Sequence, residues 1–201
     1  MGLIAKSDGE KYELTPEGSH LARCYRLIDI GTQSFEYQGK PKKAHKILIG
    51  WELPMEAKSD GAPFQITKKY TVSLHEKSAL RKDLEAWRGK AFTEQELDGF
   101  DLNNIMGKPC YINIAHEVKG DKTYANIKSI MALPKGVTCP EPINAPVVFD
   151  LDNYDAMVFN ELSDGVKKLI EGCEEFMGVT NGGWGAPAGD NLTPADDIPP
   201  F

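Results

Sequence analysis

The chain has 201 residues, 41% of them hydrophobic and 26% charged, with a formal net charge of −7. That length holds one domain plus an extension, with apolar content enough for one core. No run of 18 apolar residues occurs, which excludes a membrane-spanning helix. Met1-Gly2-Leu3-Ile4-Ala5-Lys6 shows neither the apolar centre of a signal peptide nor a myristoylation signal, so the expected location is the cytoplasm.

Residues 1–19 are polar, carry no sustained period, and read as an arm. From His20 the pattern changes: Leu21 to Ile30 is an apolar-leaning run with aromatic and β-branched members, a first strand ended by Gly31. Thr32 to Pro41 carries Gly39 and Pro41 and is expected to turn. Lys42 to Leu53 reads as a second strand, stopped by Pro54. Phe64 to His75 alternates, with Ile66, Tyr70, Val72 and Leu74 on one parity, and is expected to be half-buried. Ser78 then predicts an N-cap, with Leu80, Leu84 and Trp87 at helical spacing and Gly89 as the stop. Thr93-Glu94-Gln95-Glu96 has the form of a capping box opening a second short helix. Leu97, Phe100, Leu102 and Ile105 supply its apolar contacts, and Gly107-Lys108-Pro109 its end. Cys110 to Val118 and Thr123 to Leu133 read as two strands around the turn Lys119-Gly120-Asp121-Lys122.

Three strands, a helical connector and a two-stranded hairpin follow the order of an OB-fold, a five-stranded barrel, here over residues 20–136. The expected class is mainly β with helical additions. Residues 137–178 begin as a linker broken by Pro140, Pro142 and Pro146. Two short helices follow, one capped by Asn153 and one by Ser163. The second carries the stripe Val166, Leu169, Ile170, Cys173, Phe176 and Met177. They are expected to pack on the barrel as an extension. Residues 179–201 are Gly, Asn, Ala and Pro around a lone Trp184, then acidic: a composition that reads as a disordered tether.

No catalytic constellation is legible. His116-Glu117 has no second histidine at metalloprotease spacing, and no phosphate-binding glycine loop occurs. Asp150, Asp152 and Asp155 lack the glycine and final glutamate of a calcium loop. Cys24, Cys110, Cys139 and Cys173 are scattered without a CxxC pair, as reduced thiols are. The expectation is a binding protein with no metal and no cofactor. Charge is divided along the chain: residues 1–136 carry 21 Lys and Arg against 18 Asp and Glu, whereas residues 137–201 carry 2 against 12. A mildly basic body thus precedes an acidic tail.

Within the body, cations alternate with rings on the expected strands: Arg23, Tyr25 and Arg26, then Lys42, Lys43, Lys46 and Lys69, then Tyr111, Lys119, Lys122 and Tyr124. Single strands of nucleic acid are bound this way, cations following phosphates while rings stack on bases. Each ring has burial in the barrel as its alternative. Trp51 and Tyr70 share parity with apolar neighbours and belong to the core; Tyr111 opposes Cys110 and Ile112 and is the surface candidate.

The chain ends Asp196-Asp197-Ile198-Pro199-Pro200-Phe201, two carboxylates before a stiff apolar end. Such a peptide suits capture by a partner with an apolar pocket ringed by cations. The tip is similar to that of bacterial-type single-stranded DNA-binding proteins, which end in aspartates followed by Ile-Pro-Phe; here Pro200 is inserted and the aspartates are fewer. With the strand order over residues 20–134, the chain resembles the single-stranded DNA-binding proteins of phages and mobile elements. The resemblance implies a non-catalytic protein that coats single strands in replication, recombination and repair. It also implies that Asp196 to Phe201 recruit helicases, nucleases, primase or recombinases. In bacterial relatives the barrel commonly tetramerises, so a homo-oligomer is among its implications. An RNA-binding OB module and a ring-forming recombination annealing protein are the alternatives.

Overall fold

The structure, a computed structural model, describes residues 13–176; the first twelve residues and the tail with its tip lie outside the described residues. The elements are β1 (Gly18–Tyr37), β2 (Lys40–Ala57), β3 (Pro63–Thr71), α1 (Ala79–Arg88), α2 (Glu94–Asp98), a 3-10 turn (Leu102–Ile105), β4 (Pro109–Lys119), β5 (Lys122–Met131), β6 (Val147–Phe149), α3 (Ala156–Glu161) and α4 (Asp164–Glu171). The protein is therefore mainly β, with helices added. None of the described helices is long and apolar enough to cross a membrane.

One six-stranded sheet runs β3-β2-β1-β4-β5, antiparallel throughout, with β6 joining β1 in parallel. Strand β1 is long enough to serve several partners. Its residues 18–23 pair with β4 and its residues 23–37 with β2, and β6 takes the edge at Arg26–Ile28 beyond β4. Among the described residues no ladder joins β3 to β5, so the sheet is open there. Helix α1 packs against both strands and buries Leu80, Leu84 and Trp87.

The inward parity of β2 is Ile47, Ile49, Trp51 and Leu53, facing Ile66 and Tyr70 of β3 and Ile112 and Ile114 of β4 in one core. Each such side chain, fully buried, contributes about 1.5–3 kcal/mol. Trp51 and Trp87 meet with ring centroids 5.7 Å apart. The connector follows its caps. Ser78 Oγ accepts from Arg81 N–H, and Gly89 ends α1 in the left-handed region at φ 67°. The Thr93–Glu96 capping box is formed. Helix α2 stops at Asp98, and Leu97, Phe100 and Leu102 reach the core through a loop and the 3-10 turn.

Boundaries differ where a local stop signal is absorbed by the sheet. Gly31 does not end β1 but forms a bulge. It sits at φ 66°, its N–H donates to Asp29 Oδ1 at 2.8 Å, and pairing resumes at Thr32 opposite His45. The strand then runs on to a two-residue turn, Gln38-Gly39, with positive φ at both residues, as a tight hairpin requires. Pro54 lies within β2 beside a register irregularity between Leu53 and Ala57, where a proline is tolerated in a sheet. Residues 13–17 are held on both sides: Thr15 Oγ1 donates to Gln65 O at 3.1 Å, and His116 Nε2 lies 2.8 Å from Thr15 O.

The stretch expected as a linker is strapped to the sheet. Arg23 and Glu52 are cross-strand partners in β1 and β2. Arg23 donates to Pro140 O (2.9 Å), Cys139 O (2.8 Å) and Gly107 O (2.7 Å). Glu52 accepts from Ile143 N–H (2.6 Å) and from both Asn144 N–H and Asn144 Nδ2 (2.8 and 2.5 Å). Beyond the strap, Phe149, Leu162, Val166 and Ile170 cover Ile28, Ile30 and Leu48 in a second core on the outer side of the sheet. The expected packing of the helices on the strands is thus seen. The cap of α3 is Asp155 rather than Asn153, and Ser163 precedes α4 without a side-chain cap bond.

The end of this extension latches onto the β1–β2 hairpin. Glu175 accepts from Thr32 N–H (2.7 Å) and Thr32 Oγ1 (2.6 Å), Lys43 pairs with Glu174, and Gln33 Nε2 donates to Leu169 O at 2.9 Å. Burial opposes the Glu175 charge, but the bonds from Thr32 outweigh it and hold the carboxyl at about 2, against an ordinary 4.5. A lowered pKa means the latch is at full strength above about 4.5 and is lost as pH falls toward 2. Burial raises the pKa of Asp29 in the same cluster, so its contribution has the opposite sign. Amide protection at residues 172–176, taken relative to the unstructured rate at each pH, should fall across that acid window, and Glu175→Gln should lower it already at neutral pH. Unchanged exchange in the variant would show that the latch contributes nothing.

Candidate nucleic-acid interface

Alternation along paired strands decides which side chains share a face. On β2 the outward parity is Lys40, Lys42, Ala44, Lys46, Leu48 and Gly50. Opposite them on β1 stand Tyr37, Phe35, Gln33, Ile28 and Arg26, and on β3 Thr71, Lys69 and Thr67. The extension covers Leu48 and Ile28, leaving the hairpin and the β3 side of this face open.

Rings and cations interleave there. Lys42 Nζ lies 4.6 Å from the centre of the Tyr37 ring and Lys46 Nζ 4.4 Å from that of Phe35. Tyr37 is 51% exposed, large for an aromatic residue. Lys40, Lys42, Lys46, Lys69 and Arg26 have no carboxylate partner among the described residues, whereas neighbouring Lys43 and Lys68 are paired with Glu174 and Asp83. Partial burial and the charge of Lys69 together push the pKa of Lys46 down, as expected of cations held close without a counter-ion. The face can therefore take anions between its lysines and flat π-systems on its rings.

The expected residues do not share one place. Lys42, Lys46, Lys69 and Arg26 come together on this face. Lys43 projects from the other side of the hairpin toward Glu174. Arg23 and Tyr25 are buried, at 8% and 3% exposure, and leave the candidate interface: Arg23 grips the strap, and the Tyr25 phenol is pushed up to about 12 by burial. Lys119, Lys122 and Tyr124 lie at the end of the β4–β5 hairpin, Lys119 directly opposite Lys122, and Tyr124 opposite Glu117, which pairs with Lys128. Tyr111 is half-buried on the outer parity of β4, opposite Met131. Asp196 to Phe201 lie outside the described residues.

Phe35 and Tyr37 were missed because Gly39 and Pro41 made residues 32–41 read as a turn. The signal was present: Ser34-Phe35-Glu36-Tyr37 alternates, and Gln38-Gly39 is a tight-turn pair answered by Lys40 and Lys42. No family model matches this chain, and no curated protein matches it in sequence.

Proposed function

We propose that this protein binds single-stranded DNA without a fixed sequence, through an OB-type barrel whose outer β1–β2–β3 face carries the strand. The observation that supports this best is the run of cations with no carboxylate partner among the described residues, interleaved with the Phe35 and Tyr37 rings. The strand order supports the OB reading: it is that of the barrel, with β1 shared between β2 and β4 and a helix between β3 and β4. The end of the β4–β5 hairpin, with Lys119, Lys122 and Tyr124, is a second contact region in this reading.

Titrating labelled single-stranded DNA, duplex DNA and single-stranded RNA tests the proposal. Single-stranded DNA should bind far more tightly than duplex and more tightly than RNA. Equal affinity for duplex would overturn the proposal, and preference for RNA would replace it with the RNA-binding reading. Replacing Lys42, Lys46 and Lys69 together by alanine should flatten the slope of log affinity against log salt by about two units, roughly 0.7 per lost single-strand phosphate contact. An unchanged slope would remove these lysines from the interface.

The terminal Asp196 to Phe201 are proposed to dock partner proteins of replication or repair. Deleting them should leave single-strand binding intact or slightly tighter at low salt, where an acidic tail competes for the same cations. The same deletion should abolish capture of those partners; retention of every partner would sink the docking role.

A further inference from the structure

We propose a discrete phosphodiester-binding subsite on the outer face, built from Arg26 of β1 and Thr67 of β3 across Gly50 of β2. It rests on the single-strand reading above and deepens it. The three residues are neighbours in a single row across the sheet, Arg26 paired with Gly50 and Gly50 with Thr67. Glycine in the middle leaves a gap. A Cβ built at Gly50 would lie 3.0 Å from Arg26 Cβ, 3.6 Å from Arg26 Cδ and 3.4 Å from Thr67 Oγ1. The aliphatic part of the arginine side chain and the threonine hydroxyl thus both line the bare backbone of Gly50.

The guanidinium has work left undone. Arg26 Nε is shielded from solvent and has no hydrogen-bond partner. Arg26 makes no ion pair with any described carboxylate; its Cζ lies 5.2 Å from the centre of the Tyr25 ring. An arginine whose fork has no acceptor among the described residues suits a tetrahedral oxyanion, since guanidinium geometry matches two phosphate oxygens at once. The Thr67 hydroxyl across Gly50 offers a third donor. Lys69, next on the same face of β3, adds charge without closing the gap. The strap bound to Glu52 and the helices over Leu48 flank Gly50 along β2; Gly50 itself is buried, and Arg26 and Thr67 on either side of it are each partly exposed. A single strand stacked on Phe35 and Tyr37 would bring a backbone phosphate here as it crosses the sheet.

The test uses the full chain and follows the Arg26 Nε–H resonance by NMR while adding a thymidine oligonucleotide or, separately, inorganic pyrophosphate. Both should shift that resonance. Arg26→Gln should weaken oligonucleotide binding by about tenfold and lower the salt slope by about 0.7, with little change in melting temperature. Arg26→Lys should restore the slope but not the full affinity, and Gly50→Ala, which crowds the arginine, should weaken binding with the charge intact. If the oligonucleotide binds while Arg26 Nε stays unmoved and Arg26→Gln binds as the parent does, the subsite is overturned and the single-strand reading stands. If no single strand binds but pyrophosphate shifts Arg26 Nε, the reading falls and the anion site survives. If no single strand binds and neither ligand moves the resonance, both fall.

Discussion

Replacing Glu52 by alanine should be the most destabilising single change in this protein, costing roughly 3–5 kcal/mol, the range for removing one member of a buried charged cluster. The side chain is fully buried at 0% exposure and accepts three N–H bonds from Ile143 and Asn144. Hydrogen bonds to charged groups are worth about 1.5–3 kcal/mol each. The loss would spread. Residues 143–144 lead into β6, and β6 brings Phe149 and the helices onto Ile28 and Leu48. The melting temperature should fall by about 10 °C, at some 2–4 °C per kcal/mol for a chain of this size, and amide exchange should rise first at residues 139–149. Glu52→Gln, which keeps one acceptor oxygen, should lose about half as much. A variant melting within 1–2 °C of the parent would show that the strap is held by other contacts.

Removal of both rings on the open face should do to binding what loss of Glu52 does to stability. Phe35→Ala with Tyr37→Ala should cost roughly 2–6 kcal/mol of single-strand affinity, at about 1–3 kcal/mol per stacked base. That is a loss of at least thirtyfold, since about 1.4 kcal/mol is tenfold. Stability should change little, because Tyr37 is exposed and Phe35 half-buried beyond the main core. The salt slope should also stay as in the parent, because no cation is removed. Anisotropy titrations at several salt concentrations, with a thermal melt of each variant, measure all three quantities. A double variant that binds as tightly as the parent would mean the rings only carry the lysine side chains, and the face would bind by charge alone.

The two variants separate the parts of the sheet. Arg23 and Glu52 lie directly opposite one another where β1 and β2 are covered, and both face the backbone of the strap. Phe35, Tyr37, Lys42 and Lys46 lie farther along the same two strands, where nothing among the described residues covers them except at Gln33 and the Glu174–Glu175 latch. One pair of strands therefore carries an anchoring end and an exposed end. The chemistry of each end follows from whether the C-terminal extension reaches it.

The amino-acid sequence by itself determined the elements governed by neighbours a few residues away. Ser78 with Gly89, and Thr93 with Glu96, set helix ends because a cap is satisfied within three or four residues. The alternation of Ile47, Ile49, Trp51 and Leu53 placed those side chains inward because the pleat has period two. Only the tertiary structure decided the roles of residues whose partners are distant in the chain. Arg23 carries the same charge as Lys42, yet its acceptors are carbonyls some 80 to 120 positions away, which no local pattern announces. The bulge at Gly31 depends on pairing with β2, and without it residues 32–37 read as a turn rather than as the strand that displays Phe35 and Tyr37. A one-residue shift of register exchanges the two faces of a strand. The face that lies open was therefore settled by sheet pairing and by the extension folded across it.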